Sequence, residues 1–329
     1  MANAEQIKAL LHSHSERDDG RFYAVAMQVA SSEASKGNRV LADEIRRMID
    51  RLRARSDRAQ PVVPISSPEG DYEELLSMSS PQTRLADMVL TENLEKSLRR
   101  IINEQKQIEH IRAHGLEPRR KLLLSGPPGC GKTMTASALA GELGMPLFTV
   151  RLDGLITKYL GETASKLRGI FEAIEKNRAV YLFDEFDAIG SRRGMENEVG
   201  EMRRIVNSFL MLIESTRSNS LIISATNDAS ALDAALFRRF DVLLELPRPS
   251  KELIIEAYRF GLSNVKKSRI AYSKLANLSD GLSFAEVRKI CDEAIKEMLL
   301  AGGSSLSTKR LIDAIEERRQ FLTDMQRNH

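Results

Sequence analysis

Residues 122–133 read LLLSGPPGCGKT, which sets Gly126, Gly129, Gly131, Lys132 and Thr133 in the spacing G-x-x-x-x-G-K-T. Glycines at these intervals let successive backbone N–H groups curl around an anion. A helix opening directly behind them adds the positive end of its dipole. The chemistry is phosphate binding. Lys132 would reach the outer phosphates of a nucleotide, and the Thr133 hydroxyl would face a Mg²⁺ ion. The candidate ATP- or ADP-binding segment therefore runs through Gly126, Pro127, Pro128, Gly129, Cys130, Gly131, Lys132, Thr133 and Met134. A chance glycine-rich turn with an incidental lysine would not also need the apolar LLL before it and the helical MTASALAGELG after it. Cys130 is read as a tolerated small residue. A helix N-terminus can lower a thiol pKa, and a thiolate there would make a redox switch.

A second segment, AVYLFDEFDAIGSRR, carries an apolar run that ends in Asp184 and Glu185. Asp184, with Thr133, is a candidate for the metal shell. Glu185 would polarise an attacking water, which makes the expected reaction hydrolysis of ATP to ADP and phosphate. Acidic pairs after strands are common on surfaces, so the pair takes its meaning from the phosphate loop upstream. A third segment, ITKYLGETASK, sets Tyr159 beside Leu160 among charges and Gly161. Either the pair tucks under a neighbouring loop, or it is exposed because it binds something.

The elements that must position these residues are legible as patterns. Short apolar runs at Lys121–Leu124, Leu147–Val150, Ala179–Phe183, Leu221–Ala225 and Val242–Leu246 alternate with helical stretches. This predicts an α/β fold, a largely parallel sheet with helices on both faces. From Lys251 onward the strand signals stop, and ELIIEAYRFGL and FAEVRKICDEAIKEMLLAG predict an all-helical unit. Before the sheet, residues 5–55 hold three apolar stripes at helical spacing: Ile7, Leu10, Leu11; Phe22, Val25, Ala26, Val29; and Leu41, Ile45, Met48, Ile49, Leu52. They predict a small helical bundle. The stretch QPVVPISSPEGDYEELLSMSSP, rich in proline, serine and acid, reads as a linker. The expected organisation is a helical N-terminal docking domain over 1–58, a linker over 59–83, an α/β domain over 84–248 and a helical domain over 249–329.

Composition narrows the function classes. Of 329 residues, 42% are hydrophobic and 29% charged, in the range of globular proteins. The 49 basic and 46 acidic residues leave a net charge of +3, which gives no general argument for nucleic acid or membrane as partner. No apolar run approaches the roughly 18–20 residues of a spanning helix. The N-terminus lacks the basic-then-apolar pattern of a secretory signal. Two unrelated cysteines fit a reducing cytoplasm. His110 and His114 have helical spacing for a metal pair, but no H-E-x-x-H pattern and no third ligand accompany them.

Taken in order, these motifs resemble those of the AAA+ ATPases, in the clade of katanin, spastin and the proteasomal ATPases, over roughly residues 84–320. SATN resembles the family's sensor segment, which implies that Asn227 stands by the γ-phosphate. LDAALFRRFD resembles the segment that bears arginine fingers, shortened here so that Arg238 and Arg239 are both candidates. Arg239, next to Phe240-Asp241, fits better, and Val242 stands where relatives carry a further arginine. GLSFAEVRKICDEA resembles the start of the family's lid helix, with Phe284-Ala285 in place of Gly-Ala. VGEMRRIVNSFLMLIE resembles the helix after a second pore loop, and Met88–Leu90 would lie against adenine. KYLGET resembles the first pore loop, which implies that Lys158, Tyr159, Leu160 and Gly161 grip an unfolded polypeptide in a hexameric ring. The resemblance implies a cytoplasmic protein-remodelling ATPase using ATP and Mg²⁺. Its likeness to single-ring ATPases encoded beside subtilisin-like serine proteases in plasmid- and phage-exclusion modules implies such a protease as partner. The alternatives are a nucleic-acid-directed motor or loader and a nucleotide-gated scaffold.

Overall fold

The computed structural model describes residues 25–27, 29–30, 38, 75–152, 160–186, 196–232 and 234–327. The chain divides into two compact units, Met1–Ile65 and Ser66–His329. In the first, residues 25–27 and 29–30 are helical, with Ala26, Val29 and Ala30 buried. The other two predicted stripes lie outside the described residues.

The second unit is built on a six-stranded sheet in the order β1-β3-β4-β5-β2-β6. The strands are β1 (Leu76–Ser79), β2 (Lys121–Ser125), β3 (Leu147–Val150), β4 (Val180–Phe183), β5 (Leu221–Thr226) and β6 (Val242–Glu245). All neighbours pair in parallel except β1, which runs antiparallel along β3 with Leu76 opposite Val150. The five parallel strands coincide with the five apolar runs. β4 and β5 are buried at every position, as strands covered on both faces must be. β1 falls in the stretch read as a linker. Its residues LSMS are mostly exposed, so an edge strand held by one neighbour left no apolar signature there.

Two helices cover one face. α1 (Glu92–Lys106) starts where the Thr91 side chain accepts from Leu94 N, and it turns Leu94, Leu98, Ile101 and Ile102 inward. α2 (Ile108–Ala113) follows it, and α3 (Lys132–Leu143) leaves the phosphate loop. The buried residues of α1 and α3 join Leu122, Leu124, Val180, Leu182, Ile223 and Ala225 in one core. On the opposite face lie α4 (Leu160–Lys176) and α5 (Glu196–Ser215). There Phe209 meets Phe171, Phe183 and Phe186 at ring distances of 5.6, 5.1 and 4.7 Å. Alternation along the strands separates the two sets, since Leu182 and Phe183 must point to opposite faces. A single turn, α6 (Ala234–Phe237), precedes β6.

After β6 the chain is helical: α7 (Lys251–Gly261), α8 (Tyr272–Leu278), α9 (Phe284–Leu300) and α10 (Thr308–Arg327). These four enclose a core of their own around Ile254, Tyr258, Leu275, Ile290, Cys291 and Leu311. No helix among the described residues is long and apolar enough to cross a membrane.

Candidate nucleotide site

The sheet order explains how distant residues meet. β5 lies between β2 and β4, so the carboxyl ends of these three strands are adjacent. The phosphate loop leaves β2, Asp184 follows β4, and Asn227 follows β5. In open parallel sheets this edge is where ligands bind.

Gly126, Gly129 and Gly131 have φ of 153°, 76° and 98°. At Gly126 the requirement is also steric, because a Cβ there would collide with the Leu246 carbonyl. Leu246 is held in place by donating its N–H to Ser125 O at 2.7 Å. The buried Lys132 ammonium donates to Gly126 O at 2.6 Å, Pro127 O at 3.1 Å and Asn227 Oδ1 at 2.8 Å. The phosphate loop and Asn227, just after β5, are thus joined through one lysine. The Thr133 hydroxyl donates to Asp184 Oδ2 at 2.7 Å. A hydroxyl and a carboxylate side by side at the start of a helix suit Mg²⁺, which takes oxygen ligands and usually few from protein.

Glu185 is the described non-glycine residue with positive φ, at 52°. Its N–H donates to Asp184 Oδ1 at 2.9 Å, and the next N–H, of Phe186, donates to Ala225 O at 2.8 Å. Phe186 is fully buried against Phe209, so the turn is anchored on both sides of Glu185 while its carboxylate stays exposed. Strained backbone of this kind clusters at functional sites, which makes Glu185 a candidate for one.

Burial pushes the Cys130 thiol up, against the opposing pull of Arg248 and Lys132. This weighs against a redox switch and is consistent with Cys130 as a small residue of the loop. The side chain is buried in the core, and desolvation outweighs the two cations.

Arg238 and Arg239 do not join the phosphate loop. Asp241 Oδ2 accepts from Arg120 N and Lys121 N, both at 2.8 Å, which pins this loop to the amino end of β2. Arg239 is ion-paired with Glu214 on α5, and Arg238 is exposed. The phosphate loop leaves the other end of β2, about 13 Å away for four strand steps. Lys158 and Tyr159 lie outside the described residues; Leu160 and Gly161 open α4.

One feature was not legible in the sequence. The C-terminal helices reach the phosphate loop directly. Ala285 N donates to Gly129 O at 3.1 Å, and a Cβ on Gly129 would strike the Ser283 hydroxyl. Met88 and Leu90 line an open cavity of about 490 Å³ with Glu95, Glu256, Arg259 and Phe260. Met88 also lies beside Gly131 of the phosphate loop. The Pro and Ser flanks of these segments signal turns, not what the turns touch.

Residues 122–248 match the family described as "ATPase family associated with various cellular activities (AAA)". An uncharacterized AAA family ATPase, y4kL, of Sinorhizobium fredii is 39% identical over 91% of this chain and 90% of its own length. The proteasome-activating nucleotidase of Sulfurisphaera tokodaii is 36% identical over 64% of this chain and 56% of its own. The ATP-dependent zinc metalloprotease FtsH 3 of Sphaerobacter thermophilus is 30% identical over 75% of this chain and 52% of its own. The chain thus spans nearly all of the first relative and about half of the other two. With a phosphate loop, an acidic pair and Asn227 at one sheet edge, the chain belongs to the AAA family of ATPases, which bind and hydrolyse ATP.

Proposed function

We propose that ATP hydrolysis by this chain drives the remodelling of polypeptides by a ring of six copies. In this reading Lys158, Tyr159, Leu160 and Gly161 of each copy grip the substrate in a central channel. One observation carries it: Arg239 is pinned at the end of β2 opposite its own phosphate loop. A finger arginine so placed can serve only another copy's nucleotide. Similarity to a proteasome-activating nucleotidase and to FtsH supports a polypeptide as substrate.

The residues would divide the work as follows. Lys132 exchanges its carbonyl partners for phosphate oxygens, and Asn227 keeps the ammonium oriented. Thr133 and Asp184 would hold Mg²⁺, which when bound neutralises charge between the phosphates. Glu185 orients a water and takes its proton. Arg239 of a neighbouring copy, with Arg238 as the other candidate, offsets charge on the departing phosphoryl group. The sequence has neither H-E-x-x-H nor G-x-S-x-G, so degradation would need a second protein. A subtilisin-like serine protease in a defence module is the partner we propose. Both cysteines are free and buried, which fits a cytoplasmic setting.

Mixing inactive variants tests the arrangement. Arg239→Ala and Lys132→Ala subunits, each without ATPase activity alone, should regain part of it when co-assembled, because one kind of interface then has both groups. Proven co-assembly without any recovery would refute action in trans.

A further inference from the structure

We propose that Arg248 is a positioning residue that ties the C-terminal helices to the phosphate loop and so slows nucleotide release. It stands in the hinge between β6 and α7, in the sequence Pro247-Arg248-Pro249. Prolines on both sides restrict the backbone and aim the side chain. The hinge itself is fixed to the sheet through Leu246 N to Ser125 O. Arg248 Nη1 donates to Gly281 O in the loop that leads into α9. Two residues later Ser283 caps that helix, accepting from Glu286 N at 3.3 Å, and Ala285 N holds Gly129 O. The contacts therefore run from sheet to hinge, from hinge to loop, and from loop to the glycine that cradles phosphate. Arg248 is also close enough to the phosphate loop to act on the Cys130 thiol alongside Lys132.

A second guanidinium clamps the same loop from inside the helical layer. Arg319 on α10 donates to Leu278 O and Asp280 O, both at 2.7 Å, while Ser279 Oγ meets Tyr258 OH at 2.6 Å. These bonds hold the loop's own shape. The bond from Arg248 comes from the hinge instead, so its loss should free the helices to swing while leaving them folded. Nucleotide held at Gly129 would then escape more readily.

The inference rests on ATP turnover here and on neither ring nor channel. Its test uses the full chain, release of a fluorescent N-methylanthraniloyl ADP by stopped flow, steady-state ATPase and thermal unfolding without nucleotide. Arg248→Ala should release the probe about tenfold faster, the scale of one charge-assisted hydrogen bond. ATP KM should rise by a similar factor with kcat within about twofold, and Arg248→Lys should restore part of the effect. The unfolding temperature should stay within about 2 °C, whereas Arg319→Ala should lower it by about 4 °C or more. Release within twofold of the parent would overturn the proposal. So would a fall in unfolding temperature matching that of Arg319→Ala, or failure of both Arg248 variants to fold, since either makes Arg248 part of the lid's stability. Loss of mixing recovery between Arg239→Ala and Lys132→Ala bears on the ring alone and leaves this proposal standing.

Discussion

Replacing Glu185 with glycine should remove hydrolysis and stabilise the fold relative to Glu185→Ala. The residue holds φ at 52°, a conformation that costs an L-residue about 1–2 kcal/mol. Alanine inherits that cost and glycine does not. Glycine also has more freedom to lose on folding, an opposing effect of about 0.5–1 kcal/mol. The net advantage of Gly over Ala is therefore between about 0 and 1.5 kcal/mol, or up to roughly 6 °C for a domain of this size. Nothing else separates the two variants, because the carboxylate is exposed and the flanking bonds are backbone bonds from Glu185 and Phe186. Both should retain ATP, since Lys132 and the Thr133–Asp184 pair remain. Thermal unfolding without nucleotide, paired with ATP binding and phosphate release, gives all three readouts. If the glycine variant unfolds below the alanine one, the turn is not strained. If either variant hydrolyses ATP at the parent rate, Glu185 does not activate water.

Tyr159→Ala should change stability by no more than about 0.5 kcal/mol, the range of surface substitutions, while threading of an unfolded substrate is lost. A loss of about 3–5 kcal/mol would return the ring to the core, and intact threading would remove it from the channel. Burial, with Asp292 adding to it, pushes the Cys291 thiol from an ordinary 9.0 up to about 12. The folded state thus keeps a proton that the unfolded state loses first. That contribution is complete below about pH 9 and is lost as pH rises toward 12. Cys291→Ala should therefore show a shallower fall in stability across this window in pH-dependent denaturation; an unchanged slope would contradict the assignment.

Chemistry that depends on neighbours along the chain is legible in the amino-acid sequence itself. Glycines, lysine and threonine in one loop shape a phosphate cradle by backbone conformation alone, so Gly126 to Thr133 were identifiable as a unit. The four inner parallel strands β2 to β5 were legible for a related reason, since burial on both faces demands an unbroken apolar run, whereas the edge strand β6 is apolar in sequence yet half exposed. Tertiary structure decided what depends on which strands lie side by side. Only the insertion of β5 between β2 and β4 brings Asn227 to Lys132. The edge strand β1 takes its conformation from bonds to β3, not from the residues LSMS, so a serine-rich stretch carried no sign of it. The pairing of Arg239 with Glu214 and the reach of Arg248 to Gly281 join side chains to groups 25 and 33 residues away. Such contacts form only once the sheet and helices have fixed where each chain segment lies, and no local spacing encodes them.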